Sequence, residues 1–202
     1  MGEKRWKIDP THSSLSMVVR HMLVSRVRGQ FQRWGGVLEL DGASRGGLTS
    51  VSVCIDAASI DTQVPMRDAH LRSRDFLDAA RHPTIGFRST SVVPVGPSRT
   101  SLSGHDSPAR AFQVTGELTL RGVTRAVVLD ATYEGRVRDL DGVERIGFSA
   151  LATISRKAFG ITFNHVLDTG GLAIGDKLEL CIDLAAVQER AEVLRQPAAG
   201  EP

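Results

Sequence analysis

The chain has 202 residues and a net charge of +2, from 25 basic and 23 acidic side chains, and 41% of its residues are hydrophobic. The hydrophobic fraction excludes disorder of the whole chain, and the balanced charge argues against a dedicated nucleic-acid-binding protein, whose surface would be strongly basic. The two cysteines exclude a disulfide-rich scaffold and a four-cysteine metal site.

Alternation of apolar and polar residues predicts β-strands along most of the chain. In chain order, the predicted strands cover residues 15–20, 30–40, 51–55, 85–93, 112–120, 127–134, 146–154 and 178–184. Turn signals such as Asp41-Gly42 and Asp141-Gly142 separate them. Most connections are too short for parallel crossovers, so we expect an antiparallel sheet. Eight strands with one apolar face each must close or stack to bury that face.

Three segments depart from the strand pattern. Residues 66–80 are highly charged and lack glycine and β-branched residues, which predicts one or two short helices ending before His82-Pro83. Residues 94–110 are rich in Pro, Gly and Ser and predict a loop. We therefore expect a single domain over residues 1–190 and a disordered tail over residues 191–202.

The aromatic residues of the predicted strands permit two interpretations. Phe87, Phe112, Tyr133 and Phe148 all fall on the apolar lines of their strands. They either fill a solid core or line an elongated apolar cavity, because an eight-stranded barrel can hold one small ligand.

A basic stretch near the N-terminus also leaves two interpretations open. Residues 11–38 contain no Asp or Glu but include Arg20, His21, Arg26, Arg28 and Arg33. These residues either bind an anionic headgroup, since arginine pairs with phosphate oxygens, or form an ordinary solvated hairpin.

Signatures of catalysis are weak. The chain has no P-loop, G-x-G-x-x-G or HExxH motif, so we expect neither a cofactor nor a metal. An enzyme acting on a hydrophobic substrate remains an alternative, with His70 and either Asp68 or Asp75 as acid and base. These residues could equally be a structural cluster.

Cys54 and Cys181 raise a third hypothesis, because both lie opposite the apolar lines of their strands. If the two strands are neighbours, the thiols could approach disulfide range and serve a thiol-based stress response. Otherwise they are unrelated free thiols.

The apolar run over residues 15–24 is interrupted by Arg20 and His21, so it indicates neither a signal peptide nor a membrane helix. We therefore predict a cytoplasmic protein with reduced thiols. The sequence leaves a homodimer open.

A series of motifs resembles the YceI-like, polyisoprenoid-binding family, over about residues 6–187. The matching segments are W-K-I-D-P-T-H-S (6–13), R-H (20–21), G-x-F (29–31), W-x-G (34–36), S-I-D-T (59–62), R-D-A-H-L-R-S-x-D-F-L-D (67–78), H-P-T-I-x-F-x-S-T (82–90), G-E-L-T-L-R-G-V-T-R (116–125), G-F (147–148) and R-K-A-F-G-I (156–161). The chain departs from the usual pattern at Met17 and Trp34, where the family commonly has Phe, and in its long loop over residues 94–110.

The resemblance implies an all-β fold, a lipocalin-like antiparallel eight-stranded β-barrel with a short helical segment near the opening. It implies non-catalytic binding of an isoprenoid or fatty lipid in an apolar tunnel, as carrier, store or sensor, and no catalytic residue carries over. The residues we expect to line the tunnel are Phe31, Phe87, Phe112, Val114, Leu118, Tyr133, Phe148 and Phe159. For the headgroup we expect the basic residues of the matched motifs, Arg20, His21, Arg67 and His70.

Overall fold

The computed structural model describes residues 3–22, 24–42, 47–97, 110–166 and 172–189. Eleven β-segments and one α-helix run through these residues. The segments are β1 (Lys4–Ile8), β2 (Ser14–His21), β3 (Ser25–Phe31), β4 (Trp34–Leu40), β5 (Leu48–Asp56), β6 (Ile60–Asp61), β7 (Thr84–Pro97), β8 (Arg110–Leu120), β9 (Val123–Arg138), β10 (Glu144–Ser155) and β11 (Ile174–Gln188), and the helix is α1 (Pro65–Arg72).

The eleven segments form eight strands of one closed antiparallel barrel. β1 and β2 lie in line beside β11 as one interrupted strand, β3 and β4 form the next, and β5 and β6 the third. β7 to β11 then follow as a meander, and β11 returns to pair with β1 and β2. The predicted lipocalin-like, eight-stranded barrel with a short helix is confirmed.

The strand interruptions explain where the sequence pattern was least regular. Pro10–His12 forms a 3-10 turn between β1 and β2, and Ala57–Ser59 forms another between β5 and β6. The carboxylate of Asp56 caps the second turn by accepting the N–H of Ala58. Residues 30–40, predicted as one strand, instead bend at residues 32–33.

Two predicted boundaries need correction. β7 extends to Pro97, so residues 94–97 belong to a strand and not to the predicted loop. In the predicted helical segment, α1 covers Pro65–Arg72, and residues 74–77 continue as turns. Residues 98–109, in the rest of that loop, and the predicted tail over residues 191–202 lie outside the described residues.

The barrel has two different ends. We call the end that carries α1 the helix end. At the opposite end, which we call the closed end, large apolar side chains meet across the barrel, and Trp6, Ile8, Phe112, Ile146 and Ala186 are each at most 3% exposed. The closed end is therefore packed as a solid core.

A carboxylate network joins β1, β2 and β10. Asp9 Oδ2 accepts hydrogen bonds from His12 Nδ1 at 2.8 Å and from Arg145 Nη1 at 2.6 Å, and Asp9 Oδ1 accepts the N–H of Thr11. The bond from His12, opposed by partial burial and aided by Arg145, lowers the pKa of Asp9 from 3.8 to about 2. This network holds β1 and β2 in line.

We expect the network to make folding stability depend on pH in the acidic range. A lowered pKa in the folded state stabilises the protein above the ordinary pKa, and this contribution is lost as the pH falls from about 4 to about 2. Asp9→Asn should cost about 1 kcal/mol near neutral pH after allowance for solvent screening, and much less near pH 2. Urea unfolding of both proteins across this range measures the difference, and an equal loss at both ends would contradict the assignment.

Candidate ligand-binding site

A cavity of about 420 Å³ occupies the barrel interior from its middle to the helix end. Its wall is almost wholly apolar because each strand turns alternate residues inward. On β2, for example, the wall residues are Leu15, Met17, Val19 and His21. The volume lies in the range of pockets that hold small organic ligands.

Five of the eight predicted tunnel residues lie on the cavity wall. They are Phe31, Phe87, Val114, Leu118 and Phe148. These residues come from β3, β7, β8 and β10, so the wall draws on strands all around the barrel.

The structure places the other three outside the wall. Phe112 is 3% exposed and lies toward the closed end, with its ring 6.4 Å from that of Phe148, and Tyr133 lies 5.2 Å from the same ring. Phe159 is buried in a 3-10 turn after β10. These side chains fill core space that the cavity does not reach, because alternation predicts the inward face but not the depth along the barrel.

The same aromatic rings correct the expectation of a tunnel. Phe148 borders the cavity, and Phe112 and Tyr133 pack against it on the side of the closed end. Trp6 and Ile146 lie further along, both almost fully buried. The space is therefore a blind cavity with an aromatic floor, and its mouth is at the helix end.

Polar groups gather at the mouth. His21, Thr62, Arg67, His70 and His165 all border the cavity there. The His70 side chain is 43% exposed and His165 is also exposed, so this end of the cavity reaches solvent. An apolar wall with a polar rim suits an amphiphile whose headgroup stays near water.

Three of the four predicted headgroup residues, His21, Arg67 and His70, reach this rim, and Arg20 does not. Arg20 and His21 are consecutive residues of β2, so their side chains point to opposite faces of the barrel. His21 faces the cavity, and Arg20 is exposed on the outer surface.

Arg67 is held in place and still has hydrogens to donate. Its Nε donates to Thr62 Oγ1 at 2.7 Å and its Nη2 donates to the Thr62 carbonyl at 2.9 Å. Thr62 in turn is fixed by Asp68, whose Oδ1 accepts from both the N–H and the hydroxyl of Thr62. Guanidinium has five N–H donors, and within the described residues Nη1 has no hydrogen-bond partner, so it is available to an anion at the mouth.

The predicted acid-base cluster separates into two unrelated groups. His70 Nε2 lies 2.9 Å from Asp75 Oδ2, and the His70 ring packs edge-on against Phe76 and Phe163 at 4.9 and 4.8 Å between centroids. Asp68 is instead buried against Thr62. The His70–Asp75 pair is the part of the cluster that faces the mouth.

Arg156, the first residue of the R-K-A-F-G-I motif, is a structural residue at the helix end for which the sequence predicted no role. It is 2% exposed, and its guanidinium donates to the carbonyls of Ile161, Phe163, Ile174 and Gly175. Burial lowers the pKa of Arg156, an effect that the Asp176 carboxylate opposes. Arg156 thereby fixes the segment that carries Phe163 and His165 to β11.

The two cysteines do not meet. Cys54 on β5 pairs with Gly35 and Gly86, whereas Cys181 on β11 pairs with Ser16 and Leu151. Two barrel strands separate them, and both thiols are free. The condition for a disulfide, that their strands be neighbours, is not met.

Met17 and Trp34 both lie on the cavity wall. The alternation of apolar and polar residues in their strands could have identified them as inward-facing. They are also positions where the family resemblance leads us to expect Phe. His165 and Phe163 lie in an irregular segment without periodicity, so no sequence signal points to them. Among the described residues, no helix is long and apolar enough to span a bilayer.

The chain is similar to curated bacterial proteins. The family model described as YceI-like domain matches residues 6–186. A UPF0312 protein of Vibrio cholerae is 34% identical over 150 residues, which cover 74% of this chain and 72% of the relative. A UPF0312 protein of Staphylococcus aureus is 31% identical over 168 residues, covering 83% and 88%.

Solved structures share the barrel. The Campylobacter jejuni YCEI protein is 28% identical with a TM-score of 0.66, covering 85% of this chain and 90% of its own. Burkholderia cenocepacia BcnA is 23% identical with a TM-score of 0.69, covering 88% of this chain and 98% of its own. A polyisoprenoid binding domain from Saccharophagus degradans is 14% identical with a TM-score of 0.64, covering 91% of this chain and 98% of its own. At these identities the two structures show the fold alone. From the match over residues 6–186 and the relatives above 30% identity, this chain belongs to the YceI-like family.

Proposed function

We propose that the protein binds a polyisoprenoid or a similar long-chain lipid, as a carrier, store or sensor. The observation that carries this proposal is the blind cavity of about 420 Å³ with its apolar wall and polar rim. A polyprenyl chain has no polar groups, so it needs nothing from a wall except apolar contact. Burial of ~400 Å² of ligand surface would contribute ~10 kcal/mol, and ordering the flexible chain would offset several kcal/mol of this.

One structural neighbour is described as binding the same class of ligand. The Saccharophagus degradans domain, described as polyisoprenoid binding, has the same barrel at 14% identity. At this identity the likeness concerns the fold, so the proposal rests on the apolar wall of this chain's own cavity. That wall comes from inward positions of strands all around the barrel and is apolar along most of its length.

For the headgroup we propose Arg67, His21, His70 and His165, which surround the mouth. Arg67 is the strongest candidate because two of its hydrogen bonds orient it and Nη1 remains free to bind a phosphate oxygen. A phosphorylated chain would then bind with its apolar part in the cavity and its phosphate at the rim.

Arg67→Gln should weaken binding of a polyprenyl phosphate about tenfold and leave binding of the corresponding polyprenol nearly unchanged, because a hydrogen bond to a charged group contributes about 1.5–3 kcal/mol. Titration of both ligands by tryptophan fluorescence, which reports on cavity-lining Trp34, measures the ratio. Arg74→Gln serves as the control, because Arg74 is exposed beyond α1 and lies off the cavity wall. An equal loss for the two ligands would contradict the headgroup assignment.

A catalytic alternative is favoured by one observation, the His70–Asp75 pair at the mouth. Such a pair can act as a general base. Incubation of polyprenyl phosphate with the protein, followed by mass analysis of the lipid, separates the two functions. A binding protein returns the lipid unchanged, whereas an enzyme converts it and loses the conversion in His70→Ala.

Native mass spectrometry of the purified protein, followed by lipid extraction, tests the proposal directly. We expect a bound species of isoprenoid or fatty-chain mass, and a stripped protein that takes up added polyprenol. A protein that carries no lipid and also does not bind polyprenol delivered from cyclodextrin would overturn the proposal.

The cytoplasmic location also stays a prediction, which fractionation of the source cells would check.

A further inference from the structure

An exposed apolar surface lies beside the mouth of the cavity. The turn between β2 and β3 carries Met22 and Val24, and it is joined to the neighbouring segment by a hydrogen bond from Met22 N–H to the Ala173 carbonyl at 2.7 Å. That segment contains the bridge between Val166 and Leu172. Met22, Val24, Val166 and Leu172, which we call the apolar tip, are 46%, 90%, 78% and 41% exposed. An exposed apolar cluster of this kind marks an interaction site.

The outer face next to the apolar tip is basic. Arg20 of β2 lies directly opposite Arg26 of β3, and Arg28 lies one position further from the tip on the same outer face. Within the part of the chain that the structure describes, none of these three arginines has an acidic partner. Like charges directly opposite one another in a sheet destabilise it, so this basic face is costly to the free protein.

The neighbouring charges leave the face positive toward the tip. On β11, Lys177 is also exposed, and Glu179 pairs with Val18 in the row of Arg28. Asp61 lies beside Gln30, further from the tip. Asp176 of β11 lies level with Arg20, but its carboxylate accepts hydrogen bonds from Ser155 Oγ and the Lys157 N–H. Among the described residues, the Arg20–Arg26 pair therefore keeps its excess positive charge.

The tip and the basic face converge on the mouth itself. His21, between Arg20 and Met22, borders the cavity and pairs with Ile174, which also borders it. A ligand leaving the cavity at this point would enter whatever covers the apolar tip.

We propose that this surface docks the mouth onto an anionic lipid bilayer. The apolar tip would insert among the acyl chains, and Arg20, Arg26 and Arg28 would bind the phosphates around it. Apolar and basic residues have these two roles in interfacial membrane binding. A second copy of this chain fits less well, because pairing two identical faces brings their arginines together. The purpose of docking rests on the proposed function of the cavity in lipid binding, whereas docking itself requires no bound lipid.

Co-sedimentation of the full chain with vesicles tests the proposal. We expect binding to vesicles of phosphatidylcholine mixed with phosphatidylglycerol, weak binding to phosphatidylcholine alone, and release by salt. The double variant Arg20→Gln/Arg26→Gln should bind about 30-fold more weakly, since each arginine near an anionic surface contributes about 1 kcal/mol. Arg110→Gln/Arg138→Gln, at the closed end, is the charge-matched control.

A second pair of variants tests the apolar tip separately. Val24→Asp should abolish vesicle binding, whereas Val137→Asp, at an exposed valine near the closed end, should not. Both positions are exposed, so neither change should affect folding. Equal binding by wild type to both kinds of vesicle, or equal losses in variant and control, would overturn the proposal.

Two further outcomes have distinct meanings. A wild-type dimer in sedimentation velocity that Val24→Asp converts to a monomer would overturn membrane docking and identify the tip as a self-interface. Uptake of polyprenol from cyclodextrin is measured in parallel. Uptake without vesicle binding refutes docking alone, and vesicle binding without uptake refutes the proposed lipid cavity alone.

Discussion

Ala152→Phe should abolish lipid binding and leave the barrel folded. Ala152 lies on the cavity wall, and so do Ala131 and Ala150 on the same side of the barrel. Ala131 pairs with Ala150, so three small side chains lie close together on β9 and β10. A phenyl ring introduced at residue 152 would extend into the space that a lipid chain needs.

The substitution should be tolerated because the ring enters existing space. Overpacking a filled core costs about 1–3 kcal/mol, but a ring that covers apolar wall in a cavity gains contacts. We therefore expect a melting temperature equal to or above that of wild type. Polyprenol affinity should fall by more than about tenfold, since the ring competes for the apolar contact that drives binding.

Thr153→Phe is the matched control, because Thr153 is the next residue of β10 and is exposed on the outer face. It introduces the same ring on the other side of the wall. Titration with polyprenol and thermal melting of both variants make the comparison. Retained affinity in Ala152→Phe with intact folding would show that the lipid does not occupy the cavity.

The strands were predictable where alternation is strict. β8 and β11 contain long uninterrupted alternations, so the strands predicted over residues 112–120 and 178–184 were correct. The observed strands differ from the predicted ones only in where they begin and end. β1 was missed because five residues, with Trp6 and Ile8 as its inward side chains, are too few to distinguish a strand from a loop. The bend between β3 and β4 was missed because the two segments pair with different, distant parts of the chain, β3 with β6 and β4 with β5.

The site was predictable to the extent that it follows from strand periodicity. Alternation identifies inward positions such as Leu118 and Phe148, but it does not say how far along the barrel a side chain lies. Phe112 faces inward like Leu118, yet it packs toward the floor. That difference depends on which side chains meet across the barrel, which is a property of the closed sheet and not of any one strand.

The rim illustrates the other limit. His165 and Phe163 come from an irregular segment that Arg156 holds in place through backbone carbonyls. Such contacts are independent of the identity of the residues they fix, so the sequence of the segment carries no sign of its position. The residues of this part of the rim are therefore evident only in the folded structure.

Leu118→Asp should destabilise the barrel by about 3 kcal/mol, because it exchanges apolar burial for a buried carboxylate. Leu118 is 8% exposed and borders the cavity. Burial will raise the pKa of the new carboxylate, an effect that the exposed Arg125, directly opposite on β9, opposes. The penalty should therefore be largest near neutral pH and shrink as the pH falls toward about 4, where the carboxyl becomes neutral.

Val128→Asp is the control, because Val128 is an aliphatic residue of the neighbouring strand β9 that is 47% exposed on the outer face. It lies opposite the uncharged Thr115 and is exposed, so the new carboxylate stays in water. We expect a change within about 0.5 kcal/mol for this variant. Urea unfolding at neutral pH and near pH 4 measures both. If Val128→Asp proved the more damaging of the two, the inner and outer faces of the barrel would have to be exchanged, and with them every residue assigned to the cavity.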